Sequence, residues 1–383
     1  MELCTFNVNY GYLEGIVRGY RSSFLSPMDY KKMGVAETLE DLRTVLEATD
    51  YNSAFIDEQA QITTKLISRR CREKLASDYA YLRQQSDGDL ALFLDFIARE
   101  KMIDNLIALL QGLLNKTDPD ELMDRIDPIG WFRGIKALIN SEIGQSAEEL
   151  YFDKNHIKHP GPYFERYLPT VTYTRGSSSS IDKTLKTLDA ANIAVMKASL
   201  KKMWLEDFYN FSVSLGGTTA EVMGHILKTE ADFKALSLTL NCLNMTQATA
   251  LHDRNKLYPS IGYLYPYGTD KLCKAFNEST VQAALVPYPK YAELYESSKS
   301  NYHSESRASR YDGTEKSLED LFYAESVHLC EMSFEQQLHF GIFYAWVKLK
   351  EQEIRNITWI ADMILLRRRE EISRVLPIFK SRV

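Results

Sequence analysis

The chain has 383 residues, 45% hydrophobic and 26% charged, which excludes wholesale disorder and suits two or three packed units better than one core. With 46 basic and 52 acidic residues its net charge is −6, too acidic for a protein that neutralises many phosphates, so no nucleic-acid partner is expected. Eighteen glycines and 11 prolines make 29 of 383 residues, below the roughly 12% of an average chain, so elements should be long and turns few.

The first residues, Met1 to Asn7, lack a basic stretch followed by an apolar one and do not read as a secretory signal. Apolar residues Phe93, Ile97, Leu106, Leu109, Leu110 and Leu113 alternate with Asp95, Arg99, Lys101 and Asp104 at helical spacing, which predicts a helix over Leu90 to Leu114. His156 and His159 have a spacing that could begin a metal site. Pro160-Gly161-Pro162 follows at once and argues for a surface loop instead. Short β-prone pieces such as Tyr167 to Thr174 also read as loop. Residues 174–180 and 297–314 are rich in serine and too polar to repay the entropy of ordering them.

A long helical pattern covers Ile193 to Leu243, broken at Leu215-Gly216-Gly217-Thr218-Thr219. There the glycines end one helix, and Thr218 with Glu221 matches a capping box that would start the next. Without the lysine of a phosphate-binding loop, this pair of glycines reads as a helix-to-helix corner. The clearest periodicity lies near the C-terminus: Leu338, Ile342, Trp346, Leu349, Ile357, Ile360 and Ile364 predict one amphipathic helix over most of Glu335 to Arg369. Arg367-Arg368-Arg369 reads as a solvated helix face. The longest apolar stretch, Phe340 to Val347, is far short of the roughly 20 residues of a spanning helix, so any membrane contact should run through partners.

Three segments resemble one another: Lys101 to Leu109, Glu230 to Leu238 and Gln352 to Ile360. Their anchors Asn105, Lys234 and Asn356 lie 129 and 122 residues apart, near one third of the chain. Each follows an aromatic-rich helix, in Phe93 to Phe96, Phe208 to Phe211 and Phe343 to Trp346. Acidic-then-aromatic helix ends recur at Tyr51, Tyr151 and Tyr295. The expectation is an all-α protein of three pseudo-repeated helical bundles, 1–116, 117–245 and 246–383, with serine-rich insertions near 174–182 and 297–314. Closed on themselves, such units would surround a pseudo-threefold axis and leave a funnel-like central cavity.

Catalytic signatures are missing: the chain has no HExxH, GxSxG, Walker A or strand-following GxGxxG sequence. Five scattered cysteines without a CxxC pair suit a reducing compartment. His328 and His339 read as helix-borne histidines satisfied by carbonyls, Asp104 and Glu353 as inter-helix polar contacts, and Trp131, Trp204, Trp346 and Trp359 as packing. No cofactor, metal or catalytic residue is expected.

Longer stretches carry a family resemblance. Phe6 to Tyr20, Glu37 to Leu42 with Thr49-Asp50-Tyr51, Leu215 to Ala220, Phe340 to Ile360 and Leu376 to Phe379 resemble, in order and over nearly the whole chain, the d-subunit family of vacuolar-type proton ATPases. The serine-rich stretches and Lys380 to Val383 are longer than that family's pattern. The resemblance implies a non-catalytic rotor subunit, peripheral, on the cytosolic face of vacuolar or other endomembranes. It would couple the central stalk to the membrane proteolipid ring and transmit torque. The partners it implies are the proteolipid c-ring and the central-stalk subunits D and F, with the a subunit as a further candidate. Asn105, Lys234 and Asn356 are the candidate partner-interface residues, either facing the cavity or locking the helices around it. Two other classes stay open on residues alone: a helical-repeat adaptor with no ATPase role, and an all-α enzyme with a site in the cavity.

Overall fold

A computed structural model describes residues 3–56, 60–115, 117–132, 135–140, 163, 166, 190–243, 254–303, 317–375 and 378–379. Among the described residues every regular element is a helix and there is no strand. The chain is all-α, as expected. His156, His159, Tyr167 to Thr174 and the serine-rich stretch near 174–182 lie outside the described residues. Of the second serine-rich stretch, residues 297–303 continue the helix Pro289–His303 and 304–314 lie outside. The chain divides into two compact units, one of Met1–Ser86 with Phe211–Val383, the other Asp87–Asn210.

The first unit opens with α1 (Leu3–Gly19), α2 (Pro27–Val35), α3 (Leu39–Glu47), the single turn α4 (Asn52–Phe55) and α5 (Thr64–Gln84). Local chemistry sets these starts. Ser26 and Asp29 form a reciprocal capping box with Pro27 in the first turn of α2, and Thr38 with Asp41 does the same for α3. The three donors around Asp41, the Thr38 hydroxyl and the backbone N–H groups of Thr38 and Glu37, hold its carboxyl below the usual carboxylate range.

Following the second unit in sequence, the first unit resumes with the end of α9 (Ala190–Ser214) and then α10 (Gly217–Leu243), α11 (Tyr267–Lys274), α12 (Glu278–Leu285), α13 (Pro289–His303), α14 (Leu318–Ser333) and α15 (Gly341–Leu365). In α15, 17 of 25 residues are buried, so it must be covered on every side, and α1, α3, α5, α10 and α14 all pack against it. Tyr20 stacks on Trp346, and Phe6 and Tyr10 pack against Phe340. A second cluster joins Phe233, Leu236, Leu264, Leu272, Val281, Leu285, Tyr291 and Phe322, with Phe233 and Phe322 stacked 4.1 Å apart. Arg254, fully buried, donates to the Cys273 and Ala275 carbonyls and closes the C-terminal end of α11.

Two predicted boundaries move. The last long helix begins at Gly341, not Glu335, because Leu338 sits at φ 59° in a corner fixed by tertiary bonds. Glu14 accepts the Leu338 N–H at 2.8 Å, and Arg18 donates to the Phe334 carbonyl at 3.0 Å and to that of Gln336. At the other end α15 stops at Leu365, and Arg367 has φ 56°. Between α9 and α10 the chain does turn at Gly216-Gly217, as predicted. Helix α10 starts at Gly217, which leaves Thr218 inside its first turn and not at its cap. Thr219 instead accepts the Phe340 N–H at 3.1 Å, a tertiary partner that local sequence cannot announce.

The second unit contains α6 (Gly88–Asn115), α7 (Pro119–Arg125), α8 (Ile135–Asn140) and α9 as far as Asn210. Trp204 donates its indole N–H to the Phe96 carbonyl at 2.7 Å, and Phe208 stacks on Phe96 and meets Phe93 edge-on. Lys201 lies between Glu100 at 3.2 Å and Asp104 at 2.7 Å, so Asp104 is an inter-helix contact, as read from sequence. Leu109, Ile126, Phe132, Ile135 and Ile139 form a smaller cluster. Trp131 departs from the packing expected of it: it is 41% exposed, with Lys136 over its ring.

Candidate functional site

The anchors of the repeated segment lie on α6, α10 and α15. Asn105 is buried and uses its whole amide. Its Oδ1 accepts the Asp127 N–H at 2.8 Å, and its Nδ2 donates to the Asp127 and Gly130 carbonyls, both at 2.9 Å. The strap Asp127-Pro128-Ile129-Gly130 thus lies flat on α6. Gly130 makes that approach possible, since a Cβ there would stand 2.4 Å from the Lys101 carbonyl carbon.

On α10 the equivalent group is Asp232, two residues from the predicted anchor. Its buried carboxylate accepts the Tyr263 N–H at 2.9 Å, the Leu264 N–H at 3.0 Å and the Tyr291 hydroxyl at 2.5 Å. Burial pushes the carboxyl upward in pKa, opposed by these three donors, and the Tyr291 phenol is driven far up by burial and the adjacent carboxylate. Gly262, at φ 121°, has the backbone shape and the bare Cα that let the strap meet Asp232; a Cβ would lie 2.3 Å from Asp232 Oδ1.

On α15 the role falls to Glu353, three residues before Asn356. Fully buried, it accepts the Leu25 N–H at 2.6 Å, the Tyr51 hydroxyl at 2.8 Å and the Lys350 ammonium at 2.8 Å. Lys350 donates further to the Ser23 carbonyl at 2.9 Å and packs over the rings of Phe24 and Tyr51. Burial and the Glu353 charge hold the Tyr51 phenol well above its ordinary pKa.

All three groups hold backbone N–H groups one or two residues before a proline: Asp127-Pro128, Leu264-Tyr265-Pro266 and Leu25-Ser26-Pro27. A tyrosine closes two of the clamps, Tyr51 lying 26 residues after Leu25 and Tyr291 lying 27 after Leu264. That Leu-x-Pro to tyrosine interval was the signal available in the sequence. Similarity of the helices alone pairs Tyr51 with Tyr295, whereas the bonds pair it with Tyr291.

The other predicted residues sit beside these clamps. Lys234 bonds Glu230 at 2.7 Å along α10, and the second Glu230 oxygen accepts the Tyr344 hydroxyl at 2.7 Å. Asn356 is buried, donating to the Tyr30 hydroxyl at 3.1 Å and accepting from Gln352 at 3.0 Å. Lys234 and Asn356 lie on α10 and α15 of the first unit, and Asn105 on α6 of the second. Among the described residues no three His, Cys, Asp or Glu side chains group as a metal site. No helix there is long and apolar enough to cross a membrane.

His339 is fully buried at the corner before α15. Its Nε2 lies 3.0 Å from the Ser333 carbonyl and 3.2 Å from that of Gln336, so this nitrogen carries the proton. Burial holds its pKa below the ordinary value, with Arg18 lowering it and Glu14 and the two carbonyls raising it. The folded chain therefore resists a proton that the unfolded chain accepts, and stability should fall as pH drops through about 6.5 toward the lowered value. Thermal melts at about pH 7.5 and about pH 5.5 should show a larger loss for the parent chain than for His339→Gln, which keeps a donor but does not titrate. Equal losses would contradict this account.

These features define a class: an all-helical protein whose buried polar groups fasten its own straps to its long helices. Residues 13–375 match the model of the ATP synthase (C/AC39) subunit family, and the chain belongs to that family. It is 37% identical over 377 residues to the V-type proton ATPase subunit d of Dictyostelium discoideum, covering 98% of this chain and 97% of that protein. Against subunit d2 of Arabidopsis thaliana the identity is 35%, covering 97% of each. Against the Saccharomyces cerevisiae subunit d it is 32%, covering 99% of this chain and all of that protein. The resemblance read from Phe6 to Tyr20 and Phe340 to Ile360 is borne out.

Proposed function

We propose that this chain is a non-catalytic rotor subunit of a V-type proton ATPase, joining the central stalk to the proteolipid ring on the cytosolic face of an endomembrane. The observation that carries the reading is the end-to-end match to subunits d of such ATPases. ATP hydrolysis then belongs to other subunits, and this one transmits torque. A torque adaptor needs a body that does not yield, which long helices and buried clamps supply.

The clamps also support three related units. Each joins the last long helix of one third to the opening strap of the next: α6 to Asp127, α10 to Leu264, and α15 back to Leu25. That order is what 1–116, 117–245 and 246–383 would give if the third unit closed on the first. Lys234 is the anchor least committed to such a clamp, its side chain being 30% exposed. It is the candidate to meet the stalk by charge complementarity.

Affinity purification of the full chain from native membranes is expected to recover proteolipid-ring and central-stalk subunits. Consistent absence of both would sink the reading. Lys234→Glu should reduce recovery of stalk subunits and proton pumping while thermal stability changes by less than about 1 kcal/mol. Unchanged assembly and pumping would leave Lys234 as a helix-surface residue.

A further inference from the structure

We propose that the notch between the short helix Tyr20–Ser23 and the end of α14 is a pre-formed peptide site, and that Ile378-Phe379 is its ligand, bound in cis. The ligand class is a short apolar-aromatic segment whose aromatic residue offers its backbone N–H to a carboxylate. Ile378 is buried, and the Phe379 ring stands nearly perpendicular to Phe24 at 5.5 Å and to Phe334 at 5.4 Å. The Arg21 guanidinium lies over that ring, 4.6 Å from its centre. The Phe379 N–H donates to Glu331 Oε1 at 2.5 Å, a charge-assisted bond.

The walls of the notch are fastened by bonds that do not involve the segment. Phe24 lies between Ser23, whose carbonyl accepts Lys350 at 2.9 Å, and Leu25, whose N–H is held by Glu353 at 2.6 Å. Lys350 also lies over the Phe24 ring at 4.6 Å. The Phe334 carbonyl accepts Arg18 at 3.0 Å, and its N–H bonds the Glu331 carbonyl at 3.1 Å. Arg21 is paired with Glu335 at 3.8 Å. A site whose walls are already ordered spends little of its binding energy on ordering them.

The segment is the strained member of the pair. Phe379 sits at φ 55°, a backbone shape that a bulky L-residue rarely adopts, and in the notch it presents its ring to Arg21 and its N–H to Glu331. Firm walls and a strained ligand held by one backbone bond and two side chains make the contact exchangeable, opening locally while the unit stays folded. The chain thereby covers its own docking site until a competing segment displaces Ile378-Phe379.

The test uses the full-length chain carrying Ile378→Ser/Phe379→Ser, which vacates the notch, and a fluorescent synthetic peptide of residues 375–383. Anisotropy should show saturable binding, at least about fivefold tighter than to the parent chain, where the tethered segment competes at millimolar effective concentration. Adding Glu331→Ala, or methylating the Phe379 nitrogen of the peptide, removes the charge-assisted bond and should weaken binding at least about tenfold. Adding Arg21→Ala should weaken it about threefold. Peptide with serine at both positions should not bind. Thermal melts should show the vacated chain folded, because its walls are held without the segment. No binding to the vacated chain, equal binding to the parent, indifference to Glu331 and to N-methylation, or a vacated chain that does not fold would each overturn the proposal. In the parent chain the Phe379 amide should exchange with solvent faster than the amides of α15; exchange as slow as theirs would also overturn it.

Discussion

Glu353→Leu should destabilise the folded chain by about 3–5 kcal/mol, the range for removing one partner of a buried ion pair. The substitution leaves the Leu25 N–H and the Tyr51 hydroxyl without their acceptor, and Lys350 loses its nearest carboxylate. What remains to Lys350 is the Ser23 carbonyl and Asp50 at 3.9 Å. Urea denaturation measures the loss, and hydrogen exchange over residues 20–51 should accelerate beyond the global effect, because that segment is what the clamp holds. Adding Lys350→Met should recover part of the stability, since an unpaired buried ammonium costs more than an apolar chain of similar length. A loss under about 1 kcal/mol would mean that water replaces the carboxylate.

Asp232→Ala is the second large effect, expected at about 3–5 kcal/mol. Two backbone N–H groups and the Tyr291 hydroxyl lose their acceptor, at about 1–3 kcal/mol each. Relief from burying the carboxylate, the same burial that raises its pKa, offsets part of that sum. Release of the strap should open the exposed Tyr263 and Tyr267 to chymotrypsin at protein concentrations where the parent chain resists. A cycle with Tyr291→Phe should give a coupling of about 1–3 kcal/mol; additive effects would show that the 2.5 Å bond contributes little.

Much of the helical framework was legible without coordinates. The periodic leucines of α6 and isoleucines of α15 announce amphipathic helices, because a 3.6-residue repeat of apolar groups has no other economical burial. The turn at Gly216-Gly217 was equally plain. The clamps were only half legible. On α6 the clamp falls on Asn105, the anchor that the repeat marks, whereas on α10 and α15 the clamping carboxylates Asp232 and Glu353 stand two and three residues before the marked positions. Aligning helices by their apolar faces fixes a register only to within a turn, and it says nothing about which polar side chain points at a distant strap.

The sequence by itself determined the all-α class, the long helices and the family, since these rest on local periodicity, few turn residues and similarity along the chain. Only the tertiary structure decided which carboxylate meets Leu25, Leu264 or neither, why α15 starts at Gly341, and that His339 is buried with one fixed tautomer. The physical reason is the same in each case. A buried hydrogen bond between residues up to 328 positions apart depends on where two surfaces meet, and that meeting is set by the packing of the whole unit.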